Sequence, residues 1–127
     1  MALRFRSGQT PDPRTQLPLS AVVLHILLAL SDGEMHGYAI AQEIEATAGG
    51  EVRAGPGTLY GSIQRMLASS LIEEAPARRR AEDDDERRRY YRMTAFGRRV
   101  LALELERLDG VIATARSKKL LRDPELA

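Results

Sequence analysis

Apolar positions along the chain predict three helices, then two strands and a long final helix. From Leu19 to Leu30 nearly every residue is apolar, which predicts a helix buried on most sides and ended at Ser31, Asp32 and Gly33. A second helix is predicted from His36 or Gly37 to Ala48, because two glycines follow it. Its predicted inner face holds Tyr38, Ala41, Ile44 and Ala48, and its outer face holds Gln42, Glu43 and Glu45.

The third predicted helix, residues 56–70, begins at Pro56, since a proline in the first turn loses no helical hydrogen bond. Apolar residues follow at spacings of three and four: Leu59, Ile63, Met66, Leu67 and Leu71. The opposite side, here called the outer face, is small and almost uncharged, which predicts a docking surface rather than a solvated one. It comprises Gly57, Thr58, Gly61, Gln64, Arg65 and Ala68, with Tyr60 and Ser62 at its margins.

A hairpin and a long helix complete the pattern. Residues 71–75 and 88–93 predict two strands, joined by a long charged loop that opens at Pro76. Thr94 can cap a helix from Ala95 to about Leu121, roughly 40 Å long at 1.5 Å per residue. Its apolar residues recur at spacings of four, three, four and three, which predicts an interface with a partner helix: Leu101, Leu105, Leu108, Ile112 and Ala115.

This element order is typical of a winged helix-turn-helix with a dimerisation arm, a mainly α fold with a small β-hairpin. Three segments, His36-Gly37-Tyr38, Pro56-Gly57-Thr58-Leu59-Tyr60 and Arg89-Tyr90-Tyr91-Arg92-Met93-Thr94 with Gly97 three residues on, resemble the PadR family of bacterial transcriptional regulators at the family's own spacings. The resemblance runs from about Leu19 to Ala115. A single helix after the wing is similar to the short PadR subfamily.

The resemblance implies a homodimeric regulator, a repressor on a pseudo-palindromic operator. It places helix 56–70 in the major groove of double-stranded DNA and the wing on the backbone or in the minor groove. Four parts are expected: a flexible arm over residues 1–16, a winged-helix domain over 17–94 with its wing at about 72–93, a dimerisation helix over 95–121, and a tail over 122–127.

Candidate DNA contacts follow from side-chain chemistry. Arg65 can grip guanine and Gln64 can pair with adenine, while the hydroxyls of Thr58, Tyr60 and Ser62 suit phosphates or bases. Tyr60 could instead be a core residue with a solvated hydroxyl. Phosphate contacts are expected from the basic residues of the wing: Arg78, Arg79, Arg80, Arg87, Arg88 and Arg89.

Charge argues less clearly for DNA. The formal net charge is only +1, and an acidic run at residues 82–86 interrupts the wing arginines, unlike the usual basic wing. That run is either a solvated loop or a segment that folds onto the arginines and lowers nonspecific DNA binding. A winged-helix module that binds a protein partner without binding DNA therefore stays as the alternative.

The PadR resemblance also implies a small-molecule effector between subunits, near the first and last helices. The candidate lining residues are Val22, His25, Ile26, Phe96, Val100 and Leu103.

Enzymatic, metal and membrane functions find no support in the sequence. Cysteine is absent, which removes thiolate chemistry and thiolate metal sites and favours a reducing compartment. The two histidines, His25 and His36, suit structural roles, and no nucleophile has a recognisable base beside it. We therefore expect a protein without catalytic activity, cofactor, signal peptide or membrane span, located in the cytoplasm.

Overall fold

A computed structural model describes residues 11–48, 52, 55–76 and 89–122. It contains a 3-10 helix at Pro13–Gln16 and four α-helices: α1 at Ala21–Leu30, α2 at Gly37–Ala48, α3 at Pro56–Ala68 and α4 at Ala95–Ser117. Three strands complete it: β1 at Met35–His36, β2 at Ile72–Glu74 and β3 at Tyr90–Met93. The predicted fold class, mainly helical with a small sheet, is confirmed.

Helix α1 begins two residues later than its apolar run. The Ser20 hydroxyl accepts a hydrogen bond from the Val23 amide at 3.3 Å, so the chain enters the helix only after Ser20. Gly33, with φ of 145°, lies in the turn beyond the helix, where other residues would be strained. Four residues of α1 are buried, which confirms its central position: Ile26, Leu27, Ala29 and Leu30.

The sheet has the antiparallel order β1-β3-β2. Strands β2 and β3 are the predicted hairpin, with Ile72 opposite Met93 and Glu74 opposite Tyr91. Strand β1 was not predicted, because two residues are too short to show an alternating pattern. It forms where His36 lies opposite Tyr90 of β3.

The predicted inner face of α2 is wrong at one position. Tyr38 is 61% exposed, whereas Ile40 is fully buried. The buried positions are Gly37, Ile40, Ile44 and Ala48, at spacings of three, four and four, and Tyr38 lies off that line. Of the motif residues at the start of α2, Gly37 is therefore buried and Tyr38 lies at the surface.

The start of α4 is joined to the turn between α3 and β2. Thr94 Oγ1 accepts a hydrogen bond from the Gly97 amide at 2.9 Å and donates to the Ser70 carbonyl at 2.6 Å. A Cβ on Gly97 would overlap the Leu71 carbonyl oxygen. Thr94 thus ties the first turn of α4 to the turn before β2, and Gly97 lets the two backbones come close.

The end of α4 and the N-terminal arm also differ from the sequence prediction, and α3 ends at Ala68 rather than at residue 70. Helix α4 ends at Ser117 rather than near Leu121, since Lys119 has φ of 61° and the Leu120 amide turns back to the Ala115 carbonyl. The predicted flexible arm contains the 3-10 helix in its described part. The Asp12 carboxylate caps this helix by accepting a hydrogen bond from the Arg14 amide, and the helix packs on α4.

Candidate nucleic-acid interface

Helix α3 presents the two faces that its sequence predicts. Leu59, Ile63 and Met66 are buried at 3% exposure or less. On the outer face, Gly57, Thr58, Gln64 and Arg65 are exposed, while Gly61 and Ala68 are half-buried. The helix begins after Gly55 without a side-chain cap. No side chain at the cap therefore accepts a hydrogen bond from the first amides of the helix. Amides that are free in this way can bind an anion.

The protein's own packing does not require the two glycines of the outer face. A Cβ on Gly57 would meet nothing within 4 Å, and one on Gly61 would meet only the Arg65 guanidinium, at an ordinary 3.5 Å. Glycine inside a helix costs about 1 kcal/mol relative to alanine. Both positions leave the helix backbone open to close approach from outside.

Tyr60 joins α3 to the start of α2. A Cβ on Gly37 would lie 3.0 Å from the Tyr60 ring, so the ring covers this glycine. Tyr60 is nevertheless 48% exposed, as a residue at the margin of the outer face should be. The ring of Tyr60 therefore packs on the protein, while about half of the residue's surface is accessible.

His36 has a structural role, as expected. Its Nδ1 accepts a hydrogen bond from the Ala39 amide at 3.1 Å, which caps the first turn of α2. Its ring meets Tyr90 edge-on at 5.3 Å and lies nearly parallel to Tyr38 at 6.4 Å. The three motif segments thus meet in space, where α2, α3 and the sheet converge. The exposed Tyr38 is a residue of this region that sequence analysis assigned to the core.

The prediction for Ser62 as a DNA contact is wrong. Ser62 is 2% exposed, and its hydroxyl accepts a hydrogen bond from Arg65 Nη2 at 3.1 Å. Position 62 is adjacent to the buried Ile63 and lies on the covered side of the helix, so its hydroxyl is not presented outward. Arg65 itself remains exposed.

The wing is described only at its base. Arg89 is exposed and lies 3.8 Å from Glu74 across the hairpin, and Arg92 forms a 2.9 Å ion pair with Glu73. The other predicted phosphate contacts, Arg78, Arg79, Arg80, Arg87 and Arg88, and the acidic run at 82–86 lie outside the described residues. On the buried face of β3, burial raises the pKa of Tyr91.

The predicted effector pocket requires correction. Ile26 and Val100 are fully buried and Phe96 is 8% exposed, so these three residues pack in the core of the protomer rather than on its surface. Val22, His25 and Leu103 are half-buried. Ile26, Phe96 and Val100 are apolar because they belong to the core. A sequence pattern does not distinguish such core positions from the walls of a pocket.

The predicted interface with a partner helix loses its first residue, Leu101, to the core. Leu101 is 6% exposed and belongs to the core of its own chain. Leu105 is 41% exposed and Ile112 is 38% exposed, while Leu108 and Ala115 are half-buried. Val111, which was not predicted, is 53% exposed beside them. We call Leu105, Leu108, Val111 and Ile112 the α4 stripe.

Comparison with known proteins decides the family. The model of the Transcriptional regulator PadR-like family matches residues 26–103, which is more than half of the chain. The chain belongs to the PadR-like family. The match begins inside α1 and ends inside α4, so it contains all three motif segments and leaves out the 3-10 helix and the α4 stripe.

Solved PadR structures share the fold. A PadR family transcription regulator from Clostridium difficile is similar with a TM-score of 0.66 and 20% identity, over 77% of this chain and 97% of that one. The Bacillus subtilis PadR, solved in complex with operator DNA, is similar with a TM-score of 0.57 and 21% identity, over 68% of this chain and 47% of that one. The winged-helix architecture expected from the element order is thereby confirmed.

A curated relative adds little about function. A 37.1 kDa uncharacterized protein of transposon TN4556 from Streptomyces fradiae is 49% identical over 47 residues, which are 37% of this chain. The chain spans only 13% of that relative's length.

The described part of the chain shows neither a metal-ligand cluster nor a membrane-spanning helix. Within residues 11–48, 52, 55–76 and 89–122, no three His, Cys, Asp or Glu side chains gather in a way that could hold a metal ion. No helix in that same part of the chain is both long and apolar enough to cross a membrane.

Proposed function

We propose that this PadR-like protein is a sequence-specific DNA-binding repressor, which acts as a homodimer on a pseudo-palindromic operator. Helix α3 would lie in the major groove, and the wing at about residues 72–93 would contact the backbone or minor groove. The observation that carries this proposal is the open outer face of α3, where no described residue packs closely enough to require glycine at Gly57 or Gly61.

A groove-binding role accounts for the composition of this face. The major groove, about 12 Å wide, admits an α-helix, and small outward side chains let the helix backbone approach the base edges closely. Gly57 and Gly61 allow close approach, and the exposed Thr58 and Gln64 supply hydrogen-bonding groups. Arg65 contributes an exposed guanidinium at the same face. Tyr60, which is 48% exposed, lies at the margin of this face.

Dimerisation would bring two α3 helices to adjacent half-sites, about 34 Å apart. The α4 stripe supports this step, because four neighbouring apolar residues that are exposed or half-buried in one protomer favour burial against a second copy. Relief of repression by a small molecule between subunits belongs to the proposal. Val22, His25 and Leu103 are the residues that such a ligand would contact.

The test is fluorescence anisotropy with the protein's own upstream intergenic DNA and with a random duplex, at two salt concentrations. We expect selective binding to the upstream DNA. Gln64→Ala should weaken that binding by roughly 1–3 kcal/mol and leave random-DNA binding nearly unchanged, since it removes a base contact. Transcription from the upstream promoter in vitro should fall when the protein is added, as a repressor requires.

Gln42→Ala is the matched control, because Gln42 is an exposed glutamine on α2 rather than on the outer face of α3. It should bind as the wild type does. Equal, strongly salt-dependent binding to both duplexes, or equal losses for both glutamine variants, would contradict sequence reading by α3. Absence of DNA binding would favour the protein-interaction module.

A further inference from the structure

Glu104 is a buried carboxylate on α4 with 1% exposure. Its Oε2 accepts a hydrogen bond from the Leu19 amide at 2.6 Å, and its Oε1 accepts one from Arg107 Nε. Arg107 is 44% exposed, so solvent reaches the cation but not the carboxylate. Leu19 directly precedes Ser20, the cap of α1, which means that Glu104 fixes the point where the chain enters its first helix.

Stability alone does not account for a carboxylate at this position. Removing a charge from water is expensive, and an apolar side chain of similar size is often equally stable or more stable. The neighbouring Val100 and Leu101 on the same helix are apolar core residues. The carboxylate does what an apolar side chain cannot: it accepts a hydrogen bond from one particular backbone amide.

Residues 11–20, here called the strap, lie between α4 and α3. On one side, the 3-10 helix of the strap packs on α4. On the other side, the strap forms an open groove of about 260 Å³ together with the α3 side, where Arg65 is part of the opposite wall. Strap residues in this groove are Gln16, Pro18, Leu19 and Ser20, and the facing residues include Met66 and Ser69. Helix α4 otherwise packs chiefly on α1 and β3.

We propose that Glu104 is a positioning residue for DNA binding, which fastens the strap and the start of α1 to α4. Because α1 packs on α3, this contact sets the position of α3 relative to the dimerisation helix. The proposal rests on the proposed function. Two α3 helices must match two half-sites, so a small error in the placement of α3 on α4 occurs in both protomers and displaces both helices. A strap held by a directional hydrogen bond limits that error.

The test compares Glu104→Leu, Glu104→Gln and the control Glu106→Gln, an exposed glutamate on the same helix. Hydrogen exchange of the Leu19 amide, followed by NMR, reports on the strap, and exchange of the Ile63 amide in α3 reports on global unfolding. In Glu104→Leu we expect Leu19 exchange to accelerate by about tenfold or more, because the amide loses its acceptor. Ile63 exchange should stay within about threefold of the wild type.

Glu104→Gln should largely restore protection, since the amide oxygen can accept from Leu19 while Arg107 turns to solvent. Affinity for the upstream intergenic DNA, measured by anisotropy, should follow the strap: lower by about fivefold or more in Glu104→Leu and close to wild type in the two glutamine variants.

Unchanged Leu19 exchange in Glu104→Leu would overturn the fastening role. Faster exchange with unchanged DNA affinity would overturn the positioning role, and equal acceleration at Leu19 and Ile63 would show a purely structural residue. If the wild type itself does not select the upstream DNA, the regulator proposal fails and the positioning role fails with it. The exchange data then still show whether Glu104 holds the strap.

Discussion

Gly97 lies where α4 meets the turn between α3 and β2, and any side chain there would overlap the Leu71 carbonyl. Gly37 has a similar constraint, because the Tyr60 ring occupies the space next to it. His36 supplies an acceptor to the first turn of α2. These residues belong to the segments that resemble the PadR family, and contacts within one protomer account for them. The glycines of α3 differ, since no contact among the described residues explains them.

Gly97→Ala should be strongly destabilising, by about 3 kcal/mol or more, because a backbone carbonyl cannot move aside without breaking the joint at Thr94. Gly110→Ala on the same helix is the control. Its Cβ would meet nothing within 4 Å, so this variant should gain up to about 1 kcal/mol from helix propensity. Chemical denaturation measures both, and similar effects of the two substitutions would contradict the account of Gly97.

Helix α4 lies in two different environments along its length. Its first half is buried through Phe96, Val100 and Leu101, whereas its second half carries the α4 stripe. The regular heptad spacing therefore spans two environments, the core of the protomer and the surface. The periodicity of a helix shows which residues share a face, but it does not show where that face leaves the protomer's own core.

Leu105→Glu combined with Leu108→Glu should yield a monomer, because two carboxylates would be buried in the proposed interface between copies. Sedimentation measures the mass. Leu120→Glu with Leu121→Glu is the matched control, since these leucines are 78% and 41% exposed beyond the end of α4. Both proteins should keep the helical content of the wild type. A dimer that survives the first pair of substitutions would place the interface elsewhere.

For the whole molecule, charge is balanced at +1, and the buried Glu104 is an exception to the placement of charges at the surface. The hydrogen bond from Arg107, with that from the Leu19 amide, lowers the pKa of Glu104 against the opposing effect of burial. A carboxylate whose pKa is depressed on folding contributes stability above its unfolded pKa, near 4.5, and this contribution is lost as pH falls through the folded value.

The thermal midpoint of the wild type should therefore fall more steeply than that of Glu104→Leu between about pH 5 and about pH 3. The difference between the two proteins should shift in favour of the leucine variant as the pH falls. Differential scanning calorimetry across this range measures it, with Glu106→Gln as the control that should follow the wild type. Parallel curves for wild type and Glu104→Leu would contradict the depressed pKa.

Much of the organisation follows from the sequence alone. Apolar spacing predicted all four helices and the hairpin, since burial of one helical or strand face is a local and periodic requirement. The buried residues of α3 and the exposed outer face opposite them were predicted for the same reason. Three motif segments at family spacings indicated the PadR family before any contact was known.

Other features were decided only by the tertiary structure. Strand β1, the strap and the Glu104 contact join residues far apart in the chain, with Leu19 and Glu104 separated by 85 positions. Sequence analysis placed Ser62, Leu101 and Ile26 at binding surfaces, whereas the structure buries all three. Burial depends on which neighbouring elements cover a face. Periodicity fixes the faces of a helix, but only packing determines which of them remain open to a partner.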